Sequence, residues 1–415
     1  MTVSDQDPAR YSGKRVYLEA YGCTLSKSEA GLYVNRMINS GAVLTQDPKA
    51  ADVRVINTCV VISQTESRML RRIQELAALG ETEITGCLPS VSADSLEMNE
   101  IRPVSRETFR DFYRGMLDDV EIREPSIFDG IPINQGCTGN CNFCISRVAR
   151  GKLLSRRPQK IVDQVRMQVA RGIREVRITS LDSAAYGKDI GIRLPQLVEM
   201  ITSLDGSFML RIGMMEPKNT SEILRDLLNS YASNKVYKFL HLPVQSGSDS
   251  VLMAMNREYT SSDFIEIVDT YRRKFPGATL STDIITGYPG EGDREFSETV
   301  EILEKTRPNI INVTRFSPRP FTRDFSAVPS PSNVTKDRNK VIQEIHRRIS
   351  SEEFEKAVGT EEEIMVTERG KRDTYVGRDI YYRPVVIGGS HKLYDRVHCT
   401  ITGTGETYLI GSPAT

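Results

Sequence analysis

The stretch Gly136-Cys-Thr-Gly-Asn-Cys-Asn-Phe-Cys144 places three of the chain's seven cysteines within eight residues. We call these three residues the central trio: Cys137, Cys141 and Cys144. Their C-x3-C-x2-C spacing is typical of a metal site, because thiolates are soft ligands that select zinc or iron–sulfur clusters. Three unrelated buried thiols are the alternative, and such close clustering is unusual for core cysteines.

The number of ligands in this loop favours a cluster over zinc. A structural zinc ion needs four ligands, but no further cysteine lies near the loop, and all four histidines stand at or beyond His241. A ferredoxin run would add a fourth cysteine followed by proline, which this loop lacks. Three thiolates can hold three irons of a [4Fe–4S] cube and leave the fourth iron open to bind a substrate.

Around this loop, strand-like and helix-like stretches alternate between residues 131 and 316. Six strands are predicted, at residues 131–134, 175–179, 209–213, 238–242, 279–285 and 310–315. Helices are predicted between them, for example at residues 161–170, 220–231 and 294–306. Six β-α units predict a parallel barrel, complete or partial, whose functional face lies at the carboxyl ends of its strands.

The unusual motifs of this region all follow the ends of predicted strands. Besides the cysteine loop they are Ser180-Leu-Asp182, Met215-Glu-Pro217, Pro243-Val-Gln-Ser-Gly-Ser248, Gly287-Tyr-Pro-Gly-Glu291 and Ser317-Pro-Arg-Pro-Phe321. Each of them alone could be an ordinary turn. Six such motifs, each at the carboxyl end of a predicted strand, predict a site at that face of the barrel.

Before the barrel, three further cysteines each follow a predicted strand. We call them the N-terminal trio: Cys23, Cys59 and Cys87. The strands are predicted at residues 15–21, 53–57 and 83–85, and the helices at 26–40, with Ser26 as N-cap and Glu29 completing a capping box, and at 64–79. The carboxyl ends of parallel strands meet at one edge of a sheet, so these thiols can converge. Three separate core cysteines are the alternative.

The last part of the chain predicts a small β-barrel. Short β-rich runs occur at residues 364–366, 374–376, 383–387, 396–400 and 407–410, and a charged helix at 337–358 precedes them. Five short strands of this kind are typical of an OB-like barrel, which often binds oligonucleotides. A structural cap on the central barrel is the alternative. Cys399 alternates with Val397 and Ile401, which predicts a core thiol.

Composition limits the remaining possibilities. A chain of 415 residues with 39% hydrophobic content is long enough for two or three globular domains. The apolar runs are too short for a membrane span, and the polar first residues do not predict a signal peptide. The ligand-like spacing of the cysteines favours metal binding in a reducing cytoplasm over the formation of disulfide bonds. The net charge is zero, so any nucleic-acid surface must be a local basic patch.

Over nearly its whole length the chain resembles the radical S-adenosylmethionine (SAM) methylthiotransferase family. The central trio matches its radical SAM motif, and Tyr21-Gly-Cys-Thr-Leu25, Asn57-Thr-Cys59 and Gly86-Cys87 match its N-terminal cysteines. The C-terminal β segment resembles its TRAM RNA-binding domain. The resemblance implies three domains: an N-terminal methylthiotransferase domain at 1–125, a radical SAM partial (β/α)6 barrel at 126–358 and a TRAM domain at 359–415.

Within this family the nearest likeness is to the archaeal and eukaryotic branch, which acts on N6-threonylcarbamoyladenosine in tRNA. Four stretches support it, namely residues 181–191, 241–250 and 256–259, and Ala149-Arg-Gly151 after the cysteine loop. Two positions depart from the family pattern. Ser26 stands where asparagine is usual, and Pro320-Phe-Thr322 replaces the usual Pro-Gly-Thr.

The resemblance also implies the chemistry, with two [4Fe–4S] clusters and two SAM molecules per turnover. The N-terminal trio would hold an auxiliary cluster whose open iron carries an extra sulfur, which one SAM methylates. A second SAM, on the cluster of the central trio, would yield a 5′-deoxyadenosyl radical that removes hydrogen at or near C2 of the target adenine. The methylthio group is then delivered from the auxiliary cluster, while the protein supplies positioning and water exclusion.

The resemblance also implies contacts with SAM or the substrate for residues on or after the predicted strand ends. Phe143 would flank the adenine of SAM, and Ser180 and Asp182 would lie near its amino group. Three more polar residues on or after strand ends are candidates for contacts with the SAM carboxylate, the ribose or the substrate: Arg211, Gln245 and Asp283. Structural salt bridges within the barrel mouth are the alternative role for these three.

The implied partner is the anticodon loop of tRNA, because a base in a single-stranded loop can be splayed into a site. Four basic residues could contact phosphates, although a solvated charged surface is the alternative for each of them: Lys371, Arg372, Arg378 and Arg383. An electron donor such as a flavodoxin or ferredoxin is also implied. The chain is expected to act as a cytoplasmic monomer without a membrane partner.

Competing hypotheses remain for the substrate and for the class of protein. The same chemistry could act on an aspartate of a ribosomal protein, as in another branch of the family, or on a related N6-modified adenosine. The chain could also be an iron–sulfur RNA-binding module without turnover. Mass spectrometry of the modified target distinguishes the alternative substrates. Production of 5′-deoxyadenosine from SAM would exclude an RNA-binding module without turnover.

Overall fold

The computed structural model describes residues 8–61, 63–91, 101–104 and 130–414. They form a parallel N-terminal sheet, an open barrel of six parallel strands and a closed C-terminal β-barrel, which confirms the predicted α/β class with these three parts. The domain boundary predicted at 125/126 lies outside the described residues. Among the described residues, no helix combines the length and apolar composition that crossing a membrane would require.

The N-terminal sheet has five parallel strands in the order β2-β1-β3-β4-β5. They are β1 (Arg15–Ala20), β2 (Val43–Thr45), β3 (Val53–Thr58), β4 (Thr82–Gly86) and β5 (Ile101–Pro103). The sequence predicted the three strands that precede cysteines, but β2 and β5 are only three residues long and show no periodic pattern. Ala20 pairs with Asn57, and Thr58 with Gly86, so these three strands end at the same edge.

The first helix starts earlier than predicted. It spans Thr24–Asn39 with Cys23 as its N-cap, and Ser26 is therefore not a cap. The predicted capping box of Ser26 and Glu29 is wrong because both side chains are buried and engaged elsewhere. The Ser26 hydroxyl lies 3.0 Å from Asn57 Nδ2, and the Glu29 carboxylate forms a buried ion pair that is described below.

The open barrel contains six parallel strands and one small hairpin. The six parallel strands are β6 (Ile131–Pro132), β9 (Glu175–Thr179), β10 (Met209–Ile212), β11 (Phe239–His241), β12 (Thr279–Thr286) and β13 (Ile310–Arg315). The hairpin consists of β7 (Asn134–Gln135) and β8 (Leu154–Ser155). β6, β9 and β10 form one sheet, and β11, β12 and β13 form the other. A parallel bridge between Leu210 and Val236 connects them. The strand predicted at 131–134 is two short strands, since β7 pairs antiparallel with β8.

Helices cover the outside of these strands. Beyond the first, they are Ser63–Ala77, Ile145–Arg150, Pro158–Ala170, Leu194–Thr202, Pro217–Ser221, Leu224–Ser230, Asp249–Ala254, Ser261–Lys274, Asp293–Thr306 and Ser332–Glu355. The single helix predicted at 220–231 is instead two helices, the first of which begins at Pro217, where proline is favoured. Apolar strand residues such as Leu210 and Ile284 pack against the helices in one large core.

The C-terminal strands close into a barrel in the order β14-β15-β16-β18-β17. They are β14 (Glu361–Arg369), β15 (Thr374–Arg378), β16 (Pro384–Gly388), β17 (Arg396–Thr404) and β18 (Leu409–Pro413). Cys399 belongs to the apolar core of this barrel, which confirms its prediction as a core thiol. Tyr382 Oη donates to Glu175 Oε1 at 2.9 Å, so this domain also packs against the starts of the open-barrel strands.

Candidate metal centres

The cysteine loop is shaped by contacts that do not involve its thiols. Cys137 N donates to Gly151 O at 3.2 Å, and Cys144 is the N-cap of helix Ile145–Arg150. Gly136 has φ 73°, and a Cβ there would lie 2.1 Å from the carbonyl oxygen of Lys152. Only glycine fits this close approach of two backbones, so these backbone contacts hold the loop in place and leave the three sulfurs available as metal ligands.

The central trio fits a cluster ligand set. A Cβ at Gly139 would lie 3.4 Å from Cys137 Sγ and 3.8 Å from Cys141 Sγ, so a glycine leaves space between the two sulfurs. Within the described parts of the chain, no three His, Cys, Asp or Glu side chains converge closely enough to hold one metal ion. Each thiolate of a four-iron cube binds a different iron, so wider spacing of the sulfurs is expected for a cluster.

Burial favours the protonated form of two of these thiols, Cys137 and Cys144, until metal binds. Burial raises the pKa of Cys137 to about 12, and the Asp182 carboxylate and the neighbouring thiols add to the effect. Burial and Cys141 also raise the pKa of Cys144. Because only the thiolate is a ligand, loading of this site must release protons.

A buried polar network supports the loop from behind. Asp182 is 1% exposed, and its carboxylate accepts from Glu216 N at 3.0 Å and from Asn219 Nδ2 at 2.6 Å. Asn219 Nδ2 also lies 3.0 Å from Thr138 Oγ1 in the cysteine loop. Burial raises the pKa of Asp182, while these hydrogen bonds oppose the rise. In this arrangement Asp182 positions the loop through Asn219.

A second segment supports the loop from the other side. Asn256 Nδ2 donates to Asn140 O at 2.7 Å, and Arg257 Nη1 donates to Cys141 Sγ at 3.0 Å. Arg257 is fixed in turn by the Tyr259 hydroxyl, 3.0 Å from its Nε. A guanidinium on a ligand sulfur stabilises the thiolate and tunes the iron that it binds.

The N-terminal trio meets at one edge of the sheet. Cys23 is exposed, Cys59 is half-buried and Cys87 is buried. A Cβ at Gly22 would lie 3.3 Å from Cys59 Cβ, so the β1 and β3 ends approach closely. Burial raises the pKa of Cys87 to about 11, with smaller upward effects of Cys23 and Cys59. The structure thus brings three thiols that lie far apart in sequence to one edge of the sheet.

One short helix connects the two trios. Helix Ile145–Arg150 begins directly after Cys144, and at its end the Arg150 guanidinium forms a buried ion pair with Glu29 of the N-terminal domain. The same guanidinium opposes the burial-driven rise of the pKa of Cys87 and Cys59. The arginine that follows the central trio therefore places a positive charge beside the N-terminal trio.

Breaking this buried pair is expected to destabilise the protein strongly. Replacing Arg150 with methionine should lower the free energy of unfolding of the cluster-free protein by about 3 kcal/mol or more, because the Glu29 carboxylate stays buried without the guanidinium. Urea unfolding measures this, and the double variant Arg150→Met with Glu29→Gln should recover part of the loss. The exposed pair of Arg15 and Asp52 provides the control. An Arg150 variant as stable as Arg15→Ala would contradict the prediction.

The remaining candidate residues make contacts in different parts of the open barrel. Phe143 contacts the Tyr288 ring edge-on at 6.3 Å, and Ser180 Oγ lies 3.1 Å from Ser183 Oγ. Gln245 has φ 69°, and its backbone N–H donates to Asp283 O at 2.8 Å. These contacts place both Gln245 and Asp283 at neighbouring strands of the open barrel.

Asp283 belongs to a polar cluster on the strand face opposite the helix-covered core. Its Oδ1 atom lies 3.1 Å from His241 Nε2 and 2.8 Å from Asn312 Nδ2. Burial raises the pKa of Asp283, but the hydrogen bonds from His241 and Asn312 lower it to a net value below the usual one. Arg211 contacts aromatic rings instead, at 4.7 Å from Phe239 and 5.2 Å from Tyr382 of the C-terminal domain.

Sequence reasoning gave no role to several residues that contact the cysteines. Arg257 and Cys141 are 116 positions apart, and Arg150 and Glu29 are 121 apart. Both arginines lie in stretches that carried the family resemblance. No spacing rule connects them to a cysteine, because only the folded barrel brings them together.

Comparison with known proteins gives the following matches. Residues 131–303 match the radical SAM superfamily, and residues 15–104 match uncharacterized protein family UPF0004. The probable threonylcarbamoyladenosine tRNA methylthiotransferase of Pyrococcus horikoshii is 33% identical over 420 residues, covering 96% of this chain and 99% of the relative. The protein of the same name from Methanothermobacter thermautotrophicus is 35% identical over 399 residues, covering 90% and 94%.

A more distant relative carries the same name, and a solved structure has a similar fold. The human threonylcarbamoyladenosine tRNA methylthiotransferase is 29% identical over 430 residues, which is 96% of this chain and 74% of the human protein. The radical SAM methyltransferase TsrM of Kitasatospora setae, solved with cobalamin and a [4Fe–4S] cluster, superimposes with a TM-score of 0.57. It is 13% identical, and the match covers 75% of this chain and 77% of TsrM. At this identity the likeness concerns the fold alone.

Proposed function

Because the chain belongs to the threonylcarbamoyladenosine tRNA methylthiotransferase family and is a radical SAM methylthiotransferase, we propose that it methylthiolates C2 of N6-threonylcarbamoyladenosine next to the anticodon of tRNA. The observation that carries this proposal is the juxtaposition of two cysteine trios. Helix Ile145–Arg150 connects them, so a sulfur-bearing site at one trio would lie beside a site for radical chemistry at the other.

Each trio would hold one [4Fe–4S] cluster, and two SAM molecules would be used per turnover. When bound, these groups supply reductive cleavage of SAM, hydrogen abstraction, and the methyl and sulfur that are transferred. The central trio would ligate the cluster that binds SAM, and the N-terminal trio the auxiliary one. Arg257 at Cys141 and Arg150 near Cys87 would stabilise the thiolates of the two sites.

The remaining candidate residues would orient SAM and the base. Phe143 would flank the SAM adenine, while Ser180 and Asp182 would lie near its amino group. The polar cluster around Asp283 supports a role in binding the SAM ribose or the substrate, because it is on the strand face opposite the helix-covered core. We assign the same general role to Gln245, whereas the contacts of Arg211 with Phe239 and Tyr382 support the structural role for this side chain.

The C-terminal barrel would act as a TRAM domain that binds tRNA. Lys371 and Arg372 are exposed in the turn between β14 and β15 and can reach phosphates. Arg383 is engaged within the domain, with its Nη2 atom 2.6 Å from Glu362 and its Nε atom 2.5 Å from Asp379. An electron donor such as a flavodoxin or ferredoxin would reduce the cluster, and the protein would act as a cytoplasmic monomer.

Removing the two exposed charges is expected to weaken tRNA binding in a salt-dependent way. The double variant Lys371→Ala with Arg372→Ala should bind tRNA less tightly, and the slope of log affinity against log salt should fall by about two, one for each lost phosphate contact. The double variant Arg225→Ala with Lys336→Ala, which alters exposed residues of two barrel helices, is the control. An unchanged slope would show that this turn does not contact the phosphates.

The proposed substrate is tested by nucleoside analysis of tRNA from a strain lacking this protein. Loss of the 2-methylthio derivative, with accumulation of unmodified N6-threonylcarbamoyladenosine, is expected. Loss of a methylthio mark from another N6-substituted adenosine would correct the nucleoside. A changed ribosomal-protein aspartate with normal tRNA would overturn the tRNA assignment, and mass spectrometry distinguishes all three results.

A further inference from the structure

The segment that follows β13 exposes an aromatic side chain near the cysteine loop. Phe321 is 71% exposed, and Phe325, four residues later, is 58% exposed. Large apolar side chains usually gain their stabilising energy from burial. Two phenylalanines in solvent within one short segment therefore suggest an interaction outside the described fold.

The backbone at Phe321 makes its exposure more unusual. Its φ is 64°, in the left-handed region that favours glycine and is rare for bulky residues. Such a conformation is costly for a bulky residue, and it persists only when neighbouring residues hold it in place. Arg319, which is 4% exposed in its ion pair with Glu66, and the Thr322 hydroxyl, 2.6 Å from Arg319 O, do so here. The exposed ring therefore contributes little to the stability of the fold, and it occupies a position where glycine would adopt the backbone conformation with less strain.

The same segment is attached directly to the loop of the central trio. Asp324 N donates to Asn142 O at 3.2 Å, and Arg323 Nη1 lies 3.4 Å from Asn142 Oδ1. The Tyr288 hydroxyl donates to Asp324 Oδ2 at 2.5 Å. Phe321 thus lies in a segment that is fixed to the cysteine loop, with the exposed cation Arg323 two residues away.

We propose that Phe321 stacks on an unpaired base of the RNA loop that presents the target adenosine, and that Arg323 faces the adjacent phosphate. Aromatic rings bind single-stranded nucleic acid in this way, because every base has a π-face and stacking needs no particular sequence. The ring would hold a neighbouring base at the rim while the target base enters the barrel. This inference rests on the proposed function, since it requires an RNA substrate.

A tryptophan reporter tests the contact directly. The chain contains no tryptophan, so Phe321→Trp provides a single tryptophan at the proposed contact, which can be excited separately from the tyrosines. Addition of tRNA should quench its emission, because stacking on a base quenches indole fluorescence. Val43→Trp is the control, since Val43 is 61% exposed at the start of β2, at the sheet edge opposite the N-terminal trio. Its emission should not change.

Affinity measurements complete the test. Phe321→Gly removes the ring and suits the left-handed backbone, so it should fold at least as well as the wild type and bind tRNA roughly tenfold more weakly. Phe321→Tyr keeps a stacking ring and should bind like the wild type. Wild-type affinity in Phe321→Gly, or unquenched emission in Phe321→Trp, would overturn the inference. A wild-type protein that binds no tRNA would instead overturn the proposed function.

Discussion

Replacing the whole central trio with alanine is expected to abolish cleavage of SAM and to halve the iron content. Two clusters hold about eight irons and one holds about four. The loop itself should persist, because its shape depends on backbone contacts such as Cys137 N to Gly151 O and on the fit of Gly136. The loss would therefore reflect missing thiolates rather than a collapsed loop. Iron analysis and 5′-deoxyadenosine release, after anaerobic reconstitution with reductant and SAM, measure both effects.

The chain offers a matched control for this experiment. Cys399 is a buried thiol in the core of the C-terminal barrel, so Cys399→Ala truncates a cysteine without touching either trio. It should retain the full iron content and normal SAM cleavage, with at most a modest loss of stability from the truncation. Unchanged 5′-deoxyadenosine output in the central-trio variant would refute the assignment of these three residues.

Replacing the whole N-terminal trio with alanine is expected to separate the two activities. The variant should still produce 5′-deoxyadenosine from SAM, because the central trio and its supports lie in the barrel. It should form no methylthio product, because the site that we propose to carry the transferred sulfur is lost. Product and 5′-deoxyadenosine are best measured in the same reaction, so that a failure of one cannot be confused with a generally inactive preparation.

The alternative role of these three cysteines, as ordinary core thiols, makes the opposite prediction. Small truncations would then destabilise the sheet modestly while product still formed. Cys23 argues against a core role, because it is exposed at the N-cap of its helix. Methylthio product from the triple variant would refute the auxiliary-cluster proposal, whatever its yield of 5′-deoxyadenosine.

The sequence predicted those features that depend on local pattern. Apolar strands followed by helices appear as periodic runs, so β9 (Glu175–Thr179) and β13 (Ile310–Arg315) were predicted with the observed bounds. The convergence of the N-terminal trio was also predictable, since each thiol follows a strand of one parallel sheet. The closed C-terminal barrel followed from five short alternating runs.

Features that depend on contacts between distant segments were not predictable. Ser26 and Glu29 have the spacing of a capping box, yet tertiary contacts bury both side chains. β2 and β5 are too short to leave a pattern, and they are strands because a neighbouring strand supplies the hydrogen bonds. The contact of Arg257 with Cys141 likewise exists only in the folded barrel.

The two ion pairs between the N-terminal domain and the barrel have a consequence for how substrate enters. Arg150 pairs with Glu29, and Arg319 pairs with Glu66. Separating the two domains would break both pairs. It would also expose Ile145 and Ala149, which pack in the apolar core of the N-terminal domain, and exposing buried apolar surface costs free energy. Domains that swing apart to admit a ligand place their hinge where few such contacts must break. We therefore expect the two domains to move as one rigid body and the RNA loop to enter an opening that is permanently available.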